Sequence, residues 1–520
     1  GYGIYGGGVG FLNDDETVTR KVAGDITITI GYEGAEKNTA EAWAIYGGGQ
    51  YAYANSVEIT INDGAYIWDE IYSAGSSVKI SDHVYTTVNG GYIGKSLYAA
   101  GESRGEKYGE YVSDMTTEIG TYPGDLSEPY RSKTPVKLVI NDGTVISAYA
   151  YSNMVNNFGA TELNQIYGNS VVEINGGKVY EIYASYQYSR IWGDSNIIIS
   201  GRAASDRIFP TIYGNPFYKS REETDAYVDG DINVFFDDCG ENNGSISSAE
   251  FISYSKQIRF VDNVFIKNGS CVYLEGDNRF DDVGTLTLED DTILALKNPI
   301  TVSDKLEFEE GATLALSRPD GDYADQISGP AAITVDGEIA GKATIYTVMP
   351  VDDISEGLEI SRPLDGEVYL KAKSMTEAEA GSGEKSQLYT LGNGNAYTYI
   401  EYISGSEISD TYAHIWRIKT EELPAVSLSL YDTTIYVGGE NGLNDSGFPA
   451  LELRLEGTTE EGETVDRPVD MDKVESIEID GVMQDDKDLN KYFRAAYLEG
   501  DSLLGDDGKP GSYAATVYLT

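Results

Sequence analysis

A chain of 520 residues has room for two or three ordinary domains, or for one long solenoid with an appendage. Its 86 acidic residues against 37 basic ones leave a net charge of −49, which repels phosphate backbones and anionic bilayers and excludes nucleic acid as a partner. No apolar run is long enough for a membrane-spanning helix, so no membrane insertion is expected, and two cysteines, Cys239 and Cys271, make no disulfide framework, leaving one bridge or two buried thiols as the alternatives.

From Gly1 onward the chain repeats two phrases. Ile4-Tyr-Gly-Gly-Gly8 returns as Ile45-Tyr-Gly-Gly-Gly49, and more loosely at Ile71, Leu97, Ile166, Ile182 and Ile212. Interleaved with it are Ile61-Asn-Asp-Gly64, Val88-Asn-Gly-Gly91, Ile140-Asn-Asp-Gly143 and Ile174-Asn-Gly-Gly177. The step from Ile71 to Leu97 is 26 residues and from Ile61 to Val88 it is 27, a period that marks a solenoid. Between the phrases lie runs of period-2 alternation rich in β-branched residues, such as Asp25–Ile30, Ser56–Ile61, Val136–Ile140 and Ser170–Ile174, which predict strands. Each run ends at Asn-Asp-Gly or Asn-Gly-Gly, residues that tolerate a positive φ and turn sharply.

One coil therefore reads strand, Asn-Gly corner, short strand, Ile-Tyr strand, Gly-rich loop. The expected fold is all-β: a right-handed parallel β-helix over residues 1 to about 345, of about a dozen coils at ~4.8 Å each, or roughly 50–60 Å along the axis. Ile and Val fill its interior, and the corner asparagines can form a side-chain ladder. The interval from Leu97 to Ile140 is too long for one coil, and Glu102 to Pro135 reads as a protruding loop.

The organisation expected is a Tyr/Gly-rich β-helix over 1–275, plainer coils and capping strands over 276–420, and a small Ig-like β-sandwich over 424–520. The middle segment is marked by Thr285–Leu288 with Thr292–Leu296, recurring as Lys305–Phe308 with Ala312–Leu316. In the last segment short strand patterns, among them Val426–Leu430, Thr434–Val437 and Ala514–Leu519, follow the linker-like Lys419–Pro424 at sandwich spacing. Gly1 lies inside a repeat and Thr520 inside a strand pattern, so the chain reads as a piece of a longer protein whose signal and anchor lie elsewhere.

These interleaved phrases resemble those of large repetitive surface proteins of Gram-positive gut bacteria. Ile435-Tyr-Val-Gly-Gly-Glu-Asn441 with Gly447-Phe-Pro449 is similar to the start of Ig-like modules that follow such repeats. The resemblance covers most of the chain. It implies an extracellular, wall-associated adhesin or stalk that binds a host glycan or host protein without catalysis, immunoglobulin being one such partner; a structural spacer is the third alternative.

Polysaccharide lyases and hydrolases also use β-helices, so an enzyme is the rival. Of a polygalacturonase-like set Arg417-Ile-Lys419 is present, near the end of the coils, and Asp pairs occur at Asp237-Asp238, Asp281-Asp282 and Asp290-Asp291; Gly-His-Gly and Asn-Thr-Asp are missing. The two histidines, His83 and His414, fit no zinc spacing. Asp82 precedes His83, and strand neighbours point to opposite faces. The best calcium-loop candidate is Asp237 and Asp238, opening Asp-Asp-Cys-Gly-Glu-Asn-Asn-Gly244; a solvated turn is the plainer reading. No other cofactor is expected.

The tyrosines carry the sharper hypothesis. If the Ile and Leu of each Ile-Tyr phrase face the interior, then Tyr5, Tyr46, Tyr72, Tyr98, Tyr167, Tyr183 and Tyr213 face outward as a stripe. Such a stripe binds sugars or proteins, or it stacks on itself to hold the coils together.

Overall fold

The computed structural model describes residues 3–315, except 14–17, 105, 108–109, 112–115, 126–127, 156–163, 187–188, 202–206, 215–226, 244–248, 276–279 and 298–299. Beyond 315 it describes the backbone of individual strands between 333 and 519. Among the described residues every regular element is a strand.

The dominant feature is a long parallel ladder. Twelve strands stack in parallel: Asp25–Ile30, Ala52–Ile61, Lys79–Val88, Val136–Ile140, Ser170–Ile174, Ser195–Ser200, Ile232–Asp237, Ile258–Lys267, Phe280–Leu288, Lys305–Ala315, Glu338–Thr347 and Leu364–Ala372. The pairing Ile61↔Val88 reproduces the 27-residue step, and Ile71↔Leu97 the 26-residue one. Consecutive coils are thus covalently successive and parallel, which is the arrangement of a parallel β-helix. The stack passes residue 275 without a break and runs on to Ala372, past the expected end near 345. It meets antiparallel strands there, His414–Glu422 pairing with both Leu364–Ala372 and Ala396–Ser404.

Alternation decides what faces inward. Along Ser170–Ile174 the alternate residues Ser170, Val172 and Ile174 are buried and Val171 and Glu173 half-buried. Repeated coil by coil, this builds one continuous apolar core from Ile26 to Leu314.

At the corners, Asn89 donates from Nδ2 to Asn62 Oδ1 at 3.0 Å, Asn141 to Asn89 at 2.9 Å and Asn175 to Asn141 at 2.9 Å. This is the expected ladder. A second one, farther along the stack, links Asn196, Asn233 and Asn263 at 2.9 Å per step. The triple glycine has a different cause. A Cβ on Gly47 would lie 1.9 Å from the Ser73 carbonyl oxygen, and one on Gly48 2.2 Å from that of Ala74. The backbone of adjacent coils approaches too closely there for any side chain.

The stretch from Glu102 to Pro135 differs from expectation. Glu102–Arg104 pairs in parallel with Asn153–Val155, and Glu118–Ile119 stacks between Lys79–Ile80 and Gln165–Ile166. Ile119 is fully buried and completes the core at that level, which outweighs the polar composition around it.

Beyond Glu422 two three-stranded antiparallel sheets are described. One contains Val426–Ser429, Glu452–Thr458 and Thr464–Pro468; the other contains Val474–Ile479, Val482–Gln484 and Ala515–Leu519. Thr434–Val437 and the Ile435–Asn441 and Gly447–Pro449 phrases lie outside the described residues.

Candidate ligand-binding faces

The Ile-Tyr strands stack as a ladder of their own: Ile4–Tyr5, Ile45–Tyr46 and Ile71–Tyr72, then the ends of Tyr92–Tyr98, Thr144–Tyr149 and Lys178–Tyr183, then Thr211–Tyr213. Ile45, Ile71, Leu97, Ala148, Ile182 and Ile212 point inward and are fully buried. Each following tyrosine therefore points out of the coil. Their rings lie face to face, with centroids 4.7 Å apart from Tyr5 to Tyr46, 5.2 Å to Tyr72, 5.0 Å to Tyr98, 4.4 Å to Tyr149, 4.8 Å to Tyr183 and 5.1 Å to Tyr213. Tyr149 belongs to this row although its phrase, Ser147-Ala-Tyr149, lacks the isoleucine. Tyr167 does not belong to it.

Mutual stacking covers the ring faces. Tyr72 and Tyr98 are buried, and Tyr151 packs edge-on against Tyr98 and Tyr149 and stacks on Tyr186. The Tyr72 hydroxyl donates to Glu70, and that of Tyr183 to Glu181 at 2.9 Å. Burial, then neighbouring carboxylates and phenols, pushes Tyr72 and Tyr98 far above the usual phenol range; Tyr183 is raised by burial and by Glu181. At the centre of the row a ligand can reach ring edges but not ring faces. Tyr5, at one end, is the exposed member.

Tyr167 sits on another face. Its strand, Asn164–Ile166, stacks between Glu118–Ile119 and Ser189–Ile191, so its coil neighbours are Gly120 and Trp192. Here the structure forms an open groove of about 510 Å³. Tyr53 and Tyr122 are 43% and 54% exposed on its walls, and Tyr122 meets the Tyr167 ring edge-on at 5.6 Å. Lys79 and Glu118 form an ion pair at 2.9 Å in the groove, which neutralises the basic group on its lining, and the Arg20 guanidinium lies 5.2 Å from the Tyr53 ring centroid. Asn55 and Ser81 supply amide and hydroxyl groups, Ser81 donating to Asn55 at 3.2 Å. Exposed aromatic rings beside neutral polar groups suit an uncharged, hydroxyl-rich ligand or a protein loop.

The remaining candidates are accounted for locally. Asp237 accepts from Asn268 at 2.5 Å and pairs with Lys267 at 3.5 Å, while Asp238 occupies a corner at φ +53°. Among the described residues no group of three or more His, Cys, Asp or Glu side chains is placed to hold a metal ion. Asp82 and His83 do not point apart. A register irregularity between Ile80 and His83 brings the Asp82 carboxylate to His83 Nδ1 at 2.9 Å. Ser56, paired with His83 across the ladder, commits its hydroxyl to Asp25 at 2.7 Å, so these residues form no nucleophilic triad. Cys239 and Cys271 are buried, unbridged thiols on adjacent coils, and burial pushes both up to about 12. Arg417-Ile-Lys419 falls within the antiparallel strand His414–Glu422.

No family model, curated protein or solved structure matches this chain.

Proposed function

We propose that the chain is an extracellular, non-catalytic binding stalk of adhesin type, whose Tyr53–Tyr122–Tyr167 groove takes a neutral glycan or a protein segment of a host surface. The observation that carries this reading is the groove itself. It places two exposed phenols and a neutralised Lys–Glu pair on a rigid stack of coils, where little order is lost on binding. The acidic field around it disfavours anionic ligands. The burial of both thiols and the commitment of the Ser56 hydroxyl to Asp25 speak against these groups as nucleophiles. We also read the coils as right-handed, the hand that parallel crossovers adopt almost without exception, and the C-terminal strands as an Ig-like module. A glycan array and a host-protein panel that includes immunoglobulin test the function. Binding that falls at least about tenfold in a folded Tyr53→Ala/Tyr122→Ala variant supports it; a ligand bound equally by that variant removes the groove from the account.

The tyrosine row favours a second reading, a structural spacer. Its buried, self-stacked centre gives the coils mechanical cohesion whether or not a ligand binds.

A further inference from the structure

A second aromatic surface lies on the short strands that follow the Asn-Gly corners. Ala40–Ala42 pairs in parallel with Ala65–Ile67, which pairs with Tyr92-Ile93. Ala42, Ala44, Ile67 and Ile93 face the core, so the residues between and beside them face out. In one outward column stand Glu41, Tyr66 and Tyr92. In the next stand Trp43 and Trp68, whose backbones are hydrogen-bonded coil neighbours through Asp69 N–H to the Trp43 carbonyl at 2.9 Å. Gly94 follows in the same column, its position facing the Trp68 carbonyl. Trp43 and Trp68 are each 48% exposed. Trp68 is held in place: its ring packs against Tyr66 at 4.5 Å, its Nε1–H donates to Glu41 at 3.4 Å, and Tyr66 stacks on Tyr92 at 4.9 Å.

We propose that this face is a glycan-binding platform, on which Trp43 and Trp68 stack against successive pyranose rings of a neutral hexose polymer. Gly94 continues the column beyond Trp68 and adds no side chain to it. Indoles present flat apolar faces to the C–H face of a sugar, and Glu41 keeps acceptor capacity for hydroxyls beyond its bond to Trp68. The surface is too small and too interrupted by charge to suit a protein. Its apolar part is two indoles and two phenols, edged by Glu41 and the Asp69–Lys95 ion pair, whereas stable protein interfaces bury about 800 Å² per partner. Carboxylates at its margin and a net charge of −49 disfavour uronate or sulfated chains. The inference rests on the reading of this chain as a binding protein, but it uses a different face from the groove.

The test is affinity electrophoresis of the full chain through gels containing hydroxyethylcellulose, galactomannan or polygalacturonate. Retardation is expected in at least one neutral gel and not in polygalacturonate, with an affinity loss of about tenfold or more in Trp43→Ala and in Trp68→Ala. A neutral polymer held in the groove instead would lose retardation in Tyr53→Ala/Tyr122→Ala and keep it in both tryptophan variants, so a failed groove and a failed platform give different results. A readout on the unmodified protein accompanies it: the same neutral polymer should protect Trp43 and Trp68 from N-bromosuccinimide oxidation, located by mass spectrometry. Absence of retardation in both neutral gels, preferential retardation in polygalacturonate, or bound polymer that leaves both tryptophans equally oxidised would overturn the proposal.

Discussion

Tyr98 shows how one residue type serves two ends in this chain. It sits between Tyr72 and Tyr149 with Tyr151 against its edge, and the ring is 7% exposed. Replacing it with Ala removes two stacked contacts and opens a cavity, with an expected cost of about 3 kcal/mol or more. Tyr98→Phe keeps the ring and should cost far less; urea unfolding of the pair measures the difference. The row also responds to pH. Tyr72, Tyr98, Tyr149 and Tyr183 all have phenols raised in the fold, with burial the leading cause. Each is protonated in both states below the unfolded value near ~10, so its contribution is intact there. As pH rises through that value the unfolded chain loses phenolic protons that the folded chain keeps, and stability falls. Stability measured by denaturant between pH 9 and 11 should therefore drop, and drop less in Tyr72→Phe/Tyr98→Phe. A slope unchanged by that double substitution would show that the row does not carry the effect.

At the scale of the element, the Gly-rich turn after the Ile-Tyr strand is the sensitive joint. The Gly47 and Gly48 positions face carbonyl oxygens of the next coil at 1.9 and 2.2 Å from a built Cβ, and backbone cannot swing aside as a side chain can. Gly47→Ala should destabilise by about 1–3 kcal/mol, the usual range for overpacking, and thermal unfolding followed by circular dichroism checks it. The Asn ladder is milder. Asn141→Ala breaks the bonds to both Asn89 and Asn175, but these are exposed, so a loss of about 1 kcal/mol is expected. The same element scale explains why Tyr167 lies apart from the tyrosine row. Ile166-Tyr-Gly-Asn169 and Ile212-Tyr-Gly-Asn215 are identical, yet Ile166 stacks on Ile119 and Ile212 on Ile182. A coil has more than one inward Ile followed by an outward aromatic, and the phrase alone does not say which side it lies on. Tyr149 escaped for the converse reason, because Ala148 occupies the place of the isoleucine.

For the whole molecule, the core is continuous from Ile26 to Leu314 and each coil rests on its neighbours, so stability is a sum of coil and interface terms. The net charge of −49 works against that sum. Lys and Arg are spent on pairs between coils, such as Lys137–Glu173 at 2.9 Å and Arg131, which reaches Asp194 at 2.6 Å and Asp231 at 2.9 Å. Excess carboxylates remain and repel one another. Raising NaCl from about 0.01 to 0.15 M shortens the screening length from ~30 to ~8 Å and should raise the Tm. A Tm that falls instead would mean that the ion pairs outweigh the repulsion.

The period, the strand class, the inward Ile and Val and the corner asparagines were determined by the sequence alone, because each depends on alternation or on a turn residue repeated at a fixed step. The parallel stack was therefore legible, and so was the outward aim of the tyrosines. What lies outside the coil was not. Whether an outward ring faces water or another ring depends on residues one coil away, separated by variable loops. Only the tertiary structure decided that Tyr72 and Tyr98 are covered, that Tyr167 joins Tyr53 and Tyr122 in a groove, and that Trp43 and Trp68 share an exposed column. The Asp82–His83 contact was hidden for a related reason: one irregularity in register re-aims a side chain that strict alternation would send to the opposite face.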